Sequence, residues 1–261
     1  MTEQKQFAVI TGASSGIGLE LARQFLSNGF DVLITAEDAE LATAAAQLSA
    51  EGGQVHSVRA DLSTSAGVEQ LVAAIQATSR QVDAAALNAG IGNGGAFIDI
   101  PWVDEERLIG LNVASTVHLA KRLLPEMVSR GSGRILFTSS VASTMPGPYY
   151  ATYAASKSFV QSFAEALRNE VKDAGVTITA LLPGPTDTEF FDRAGMQDTP
   201  VATGPKDDPA DVAKDGFEAL MAGKDHVVGG ASKNRLQTAA SKLIPDVAKS
   251  ALHSKMSKPK S

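Results

Sequence analysis

Phe7-Ala8-Val9-Ile10-Thr11-Gly12-Ala13-Ser14-Ser15-Gly16-Ile17-Gly18 runs from a β-rich apolar segment into three glycines and then into helical periodicity. The apolar run predicts a strand. The periodicity after the turn predicts a helix from about Ser15 to Asn28, with Gly29 as its stop. Glycines at such a turn let the chain bend tightly, let backbone approach a phosphate, and let helix and strand pack closely. The helix N-terminus adds free N–H groups and a positive dipole end, which together suit an anion. Glycines at a strand-to-helix turn also serve structure alone, and methyltransferases use similar loops, so the turn by itself names no ligand.

Working outward, β-rich runs alternate with helical stretches along the chain. Strands are expected at Val32–Thr35, Val55–Arg59, Val82–Leu87, Arg134–Thr138, Val176–Leu182 and Asp225–Val228. Helices are expected at Ala39–Ala50, from a Ser63 cap to Ser79, over Val103–Ser129 and over Thr152–Ala174. Regular alternation of this kind implies an α/β fold: a doubly wound parallel sheet of about seven strands with helices on both faces. No internal repeat or linker divides it. A single domain over residues 1–231 is expected, followed by an extension over 232–261.

Composition removes several function classes. The 261 residues include no cysteine, which excludes disulfides, thiolate nucleophiles and cysteine-ligated metals. His56, His118, His226 and His253 are scattered without metal-ligand spacing, so no metal is expected. A net charge of −6 with no basic stripe through the body argues against nucleic acid as a partner. The polar start and the lack of any bilayer-length apolar run make a cytoplasmic protein the expectation.

Glu37 and Asp38 follow the second strand about twenty residues beyond the glycine turn. An acid there can accept from the adenosine ribose 2′-hydroxyl and would repel a 2′-phosphate, which favours NAD(H) over NADP(H). The other reading of these acids is a solvated helix start, where they suit the dipole. Arg59, at the end of the third strand, is the residue able to overturn the cofactor preference.

These features together resemble the short-chain dehydrogenase/reductase family over nearly the whole chain up to Val228. Its spaced TGxxxGxG stands as Thr11–Gly18, Asp61 follows the third strand, and Asn88-Ala89-Gly90 ends the fourth. Asn112 lies in the long helix, Ser140 after the fifth strand, and Pro183-Gly184 after the sixth. Tyr153 and Lys157 fit its YxxxK. The resemblance implies a Rossmann-type fold and a cofactor surface of Gly12, Ser14, Ser15, Gly16, Ile17, Gly18, Glu37, Asp61, Leu62, Asn88, Ala89 and Gly90. At the nicotinamide end it adds Tyr153, Lys157, Pro183, Gly184, the Thr186 backbone and the Thr188 side chain. It further implies a homodimer or homotetramer built on the two long helices.

The chemistry implied is reduction of a carbonyl or oxidation of an alcohol. Hydride arrival at a carbonyl carbon leaves charge on oxygen, so a proton donor must stand beside it. Tyr153 is the candidate acid/base, and Lys157, one helical turn on, is expected to lower the phenol's pKa. In the family the lysine also holds the nicotinamide ribose, the serine holds the substrate oxygen, and the asparagine holds a water in a proton path. Ser139 rivals Ser140 for the serine role. Tyr149 and Tyr150 lack a lysine four residues on and are expected to pack structurally.

The segment Glu189–Pro205 is expected to cover the substrate as a mobile loop, with Phe97, Met145, Tyr149, Phe190 and Phe191 making the pocket apolar. Past Ser232, Leu236, Ala240, Leu243, Val247 and Ala251 keep helical spacing, Pro245 interrupts it, and lysines cluster. That extension is expected to pack on its own domain or a sister subunit, membrane contact being the alternative. A catalytically silent dinucleotide-binding regulator is the other function class. Enoyl reduction is disfavoured by the short tyrosine–lysine spacing.

Overall fold

Strand residues of alternating direction divide the interior into two cores. The computed structural model describes residues 5–230 together with Ser254, Ser257 and Lys258. On one face of the sheet Phe7, Val9, Ala85, Leu87, Ile135 and Phe137 point to the helices carrying Leu71, Leu119, Leu123 and Val160. On the other, Ala8, Ile10, Val32, Ile34, Ala86 and Leu136 meet Leu21, Phe25, Leu48, Phe217 and Leu220. The two-residue period sends successive side chains to opposite faces, so strands buried on both sides read as continuous apolar runs.

The strands are β1 (Phe7–Thr11), β2 (Asp31–Ala36), β3 (Val55–Arg59), β4 (Ala84–Leu87), β5 (Gly133–Thr138), β6 (Val176–Pro183) and β7 (His226–Gly229). They form one sheet in the order β3-β2-β1-β4-β5-β6-β7, with parallel pairings throughout. The chain winds outward from β1 to β3, then returns to β4 beside β1. That reversal opens a crevice at the carboxyl ends of β1 and β4, where α/β sheets bind ligands.

The helices are α1 (Gly16–Ser27), α2 (Glu40–Glu51), α3 (Ser65–Ala77), α4 (Trp102–Ile109), α5 (Ser115–Ser129), α6 (Ala151–Val171), α7 (Phe190–Arg193), α8 (Pro200–Thr203) and α9 (Pro209–Met221). Three departures from the sequence reading have local causes. The cap of α3 is Thr64, whose hydroxyl accepts from the Gly67 N–H at 3.0 Å, because Ser63 is turned to Asp61. The long helical region breaks at Gly110–Ala114, a π-helical turn between α4 and α5. The expected loop at 189–205 contains α7 and α8.

Helix α9 was not anticipated, although its signals are plain. Asp208 accepts from the Ala210 N–H at 2.8 Å and Pro209 takes the first turn. Phe217 then packs edge-on against Phe25 of α1, with ring centroids 5.1 Å apart. The amphipathic extension expected over 232–261 lies outside the described residues, apart from the three named. Among the described residues no helix is long and apolar enough to cross a membrane.

Candidate active site

The crevice at the switch point is a cavity of about 610 Å³. Every site residue expected from sequence lines it except Asn112. Its floor is knitted by Thr11 and Asn88. The Thr11 hydroxyl accepts from the N–H groups of Asn88 and Ala89, both at 2.9 Å, and the Asn88 amide donates to the Thr11 carbonyl at 3.1 Å. Thr138 at the end of β5 donates to Asn88 Oδ1 at 3.1 Å, so three strand ends are held in register.

None of the three glycines of the turn can be replaced without collision: Gly12 has φ +66°, and a Cβ there would lie 2.9 Å from the Ala89 Cα. Gly16 has φ +56°, and a Cβ there would lie 2.8 Å from Thr188 Cγ2. A Cβ on Gly18 would lie 1.9 Å from the Gly12 carbonyl oxygen. The cradle is therefore walled by backbone and by the Thr188 side chain, with the N-terminus of α1 opening into the cavity, a form that fits a pyrophosphate.

At the adenosine end the two acids take different directions. Glu37 pairs with Arg107 of α4, its carbonyl accepts from Arg59 Nε at 2.6 Å, and its side chain is 44% exposed. Asp38 turns inward. Its Oδ2 accepts from the Ser14 hydroxyl at 2.8 Å, while Oδ1 is buried with no hydrogen-bond partner. A buried orphan carboxylate oxygen in a cavity wall is costly unless something donates to it, and ribose hydroxyls would. Asp38, more than Glu37, therefore fits the ribose role. Arg59 is committed to the Glu37 backbone. Asp61 accepts from the Ser63 N–H and hydroxyl at 2.9 and 2.7 Å. Burial works to raise its pKa, but those bonds and Arg107 outweigh it and hold the carboxylate below its ordinary value.

At the other end, Tyr153 and Lys157 project from α6. Burial pushes the Tyr153 phenol up to about 12, a hydrogen bond with Ser140 working the other way. Burial brings Lys157 down to about 8. The expected lowering of Tyr153 by Lys157 is thus not found here. The ammonium donates to the Thr138 carbonyl at 2.9 Å and lies 5.8 Å from the centre of the tyrosine ring, so desolvation of the phenol dominates.

The two serines separate cleanly. Ser139 is spent, donating to the Lys157 carbonyl at 2.8 Å. Ser140 accepts from the Ala142 N–H at 3.1 Å and meets Tyr153. Asn112 stands behind the wall in the π-helical turn. Its side chain exchanges two 2.9 Å hydrogen bonds with the backbone of Ile91 and donates to Ser156 at 3.0 Å. It fixes the β4 loop against α6. Gly90 lies between it and Lys157: a Cβ there would be 3.1 Å from Nζ and 3.2 Å from Asn112 Oδ1.

The cavity beyond Tyr153 is largely apolar, with Met145, Phe190, Phe191, Met196 and Val201 in the wall. Of the expected residues, Phe97 is instead 64% exposed and Tyr149 is not in the wall. Tyr149 adopts φ +67°, and its carbonyl accepts from the Gly95 N–H at 2.8 Å. Tyr150, expected to pack structurally, lines the cavity with Ser257, which hydrogen-bonds it. Arg107, Arg193 and Lys206 were also missed; none belongs to a local pattern that marks a site.

Fold and site define an α/β protein of the Rossmann type with a Ser–Tyr–Lys centre at its switch point. The short-chain dehydrogenase family model matches residues 6–198, and the chain belongs to that family. It is 31% identical over 214 residues to Oxidoreductase UcpA of Salmonella typhimurium, spanning 82% of this chain and 79% of that protein. It is 34% identical over 243 residues to Dehydrogenase/reductase SDR family member 7B of Danio rerio, spanning 86% and 77%. Among solved structures it is similar to a short-chain dehydrogenase from Sphingobium yanoikuyae in complex with NADPH, with TM-score 0.80 and 29% identity over 91% of this chain and 94% of that one. A short-chain dehydrogenase/reductase from Burkholderia phymatum in complex with NAD gives TM-score 0.80 and 27% identity over 93% and 94%.

Proposed function

We propose that this protein is a nicotinamide-dependent oxidoreductase that interconverts a carbonyl and an alcohol, with Tyr153 as its general acid/base. The observation that carries this is convergence. The phosphate-sized cradle, the orphan oxygen of Asp38 and the Ser140–Tyr153–Lys157 group share one cavity. Neighbours of the same fold that hold NADPH or NAD support the cofactor class.

A nicotinamide, when bound, supplies or accepts the hydride; the chain's residues handle the proton and the charge. Ser140 has its oxygen held by the Ala142 N–H, and its own hydrogen reaches only the Pro183 carbonyl at a long 3.5 Å, a bond weak enough to exchange for a substrate oxygen. The Tyr153 hydroxyl beside it donates the proton as charge builds there. Lys157, when charged, stabilises the phenolate left behind. Asn112 positions the β4 loop and α6 around that lysine. The apolar wall excludes water and favours a hydrophobic substrate. Self-association through the long helices belongs to the same proposal, since Ile109, Val128 and Phe159 on α4, α5 and α6 are exposed apolar residues.

For the cofactor we propose NAD(H). Asp38 presents a free acceptor where a 2′-phosphate would meet negative charge, while Arg59 and Arg107 are drawn to Glu37. Calorimetric titration with NADH and with NADPH tests this. Tighter NADH binding, lost in Asp38→Ala, is expected. Tighter NADPH binding would overturn the preference, and binding of neither would overturn the reading as a whole.

A further inference from the structure

The glycine turn that faces the cavity has no formal positive charge. No lysine or arginine lies between Thr11 and Gly18. A pyrophosphate there would meet N–H groups and a helix dipole, but also the carboxylate of Asp38, which touches the turn through Ser14. Like charge at that distance weakens anion binding unless a cation offsets it.

Among the described residues, the cations in the cavity wall are Lys157, Arg193 and Lys206. Lys157 is buried at Thr138 beside the catalytic tyrosine. Lys206 lies 3.4 Å from Asp187 and over the Phe191 ring. Arg193 alone of the three reaches the turn's side. Its guanidinium is 3.6 Å from Asp38 Oδ2 and 2.6 Å from Glu189 Oε2, and its side chain is half exposed.

The backbone that carries Arg193 is well anchored. The Ala194 carbonyl accepts from the Gly94 N–H at 2.8 Å, and Phe190 packs on Tyr153 with ring centroids 5.1 Å apart. Thr188 sits against Gly16. Helix α7 thus spans from the catalytic tyrosine to the adenosine-side acid. An arginine whose side chain is half exposed, paired with an exposed Glu189 and at a long 3.6 Å with the half-buried Asp38, exchanges partners at modest cost. A phosphate offers it a charge-assisted, bidentate alternative.

We propose that Arg193 is a pyrophosphate-binding residue, contributed by the substrate-side segment, which pairs with the anion and leaves Asp38 to the ribose, its Oδ2 keeping the Ser14 hydroxyl and its Oδ1 open. This rests on the dinucleotide reading above. Among the described residues it makes Arg193 the one full positive charge facing the phosphates, and it ties cofactor affinity to the placement of α7 beside the substrate.

The test is calorimetry of the full chain with ADP-ribose, which carries the pyrophosphate without the nicotinamide, at low and moderate salt. Arg193→Ala is expected to weaken ADP-ribose binding about 10- to 100-fold and to flatten its salt dependence. Arg193→Lys is expected to restore part of the affinity. Ligand-free thermal unfolding of each variant establishes that it is folded. Repeating the comparison in an Asp38→Asn background separates binding from mere neutralisation. The loss on removing Arg193 should persist there. Wild-type affinity in Arg193→Ala, or recovery of affinity in the Asp38→Asn, Arg193→Ala double variant, would overturn the proposal. Failure of the wild-type protein to bind ADP-ribose, NADH or NADPH would instead overturn the dinucleotide reading itself.

Discussion

Replacing Lys157 with Met should flatten the dependence of stability on alkaline pH. The lysine is 5% exposed, and burial lowers its pKa to about 8 from an ordinary 10.5. Below pH 8 it is protonated in both states, and the native state bears the whole cost of burying the charge. At about 1.4 kcal/mol per pH unit the gap between the two values corresponds to about 3 kcal/mol. Between pH 8 and 10.5 the unfolded chain holds the proton that the native one has released, so stability rises with pH. The Tyr153 phenol acts oppositely, its pKa raised to about 12, so that stability falls with pH only above about 10. The window from pH 7 to 10 therefore isolates the lysine. Urea unfolding across that window should show the wild-type protein gaining about 2 to 3 kcal/mol relative to Lys157→Met. At neutral pH the variant also loses the 2.9 Å bond to Thr138, so the slope is more telling than any single value. Parallel curves, within about 0.5 kcal/mol, would refute the claim that this ammonium is buried at a cost.

Under the proposed mechanism the same lysine is expected to set the pH profile of catalysis. Because its charge stabilises the tyrosinate formed on reduction, kcat/KM for carbonyl reduction should fall as pH rises through about 8, while the neutral phenol persists. A profile flat from pH 6 to 10 would contradict this. Gly18→Ala should abolish dinucleotide binding and lower the thermal midpoint, since its Cβ would stand 1.9 Å from the Gly12 oxygen. Calorimetry and a melting curve check both, and retention of wild-type affinity would show that the turn is not the phosphate cradle.

The parts legible in sequence were those with local physical causes. Strand β1 and its glycine turn announce themselves by an apolar run and three glycines. The sheet follows from alternation, and β3 was bounded correctly at Val55–Arg59. Tyr153 and Lys157 share one face of one helix, and the cavity brings the other predicted site residues to them, with Asn112 behind its wall. Helix α9 carries its cap, its proline and its apolar spacing locally, so it too is legible from sequence.

What stayed hidden was set by distant neighbours. Glu37 and Asp38 are adjacent, and only Arg107, seventy residues on, explains why one turns outward while the other keeps an oxygen for the cavity. Arg193 acquires meaning from Asp38 across the cleft. The relation between Tyr153 and Lys157 was misjudged for a similar reason. Opposite charges at helical spacing suggested a lowered phenol, but the walls that bury both groups come from the β4 loop, β5 and α7. Their desolvation outweighs the pair. Tyr150 likewise gains its place in the substrate wall from the fold of the segment before α6, where Tyr149 takes a left-handed backbone.

The central claim is tested most directly by the rate at which Tyr153→Phe reduces a carbonyl substrate found by screening the wild-type protein with its preferred nicotinamide. The account predicts a fall of about 10²-fold or more with cofactor affinity unchanged. A Phe variant that keeps the wild-type rate would contradict it.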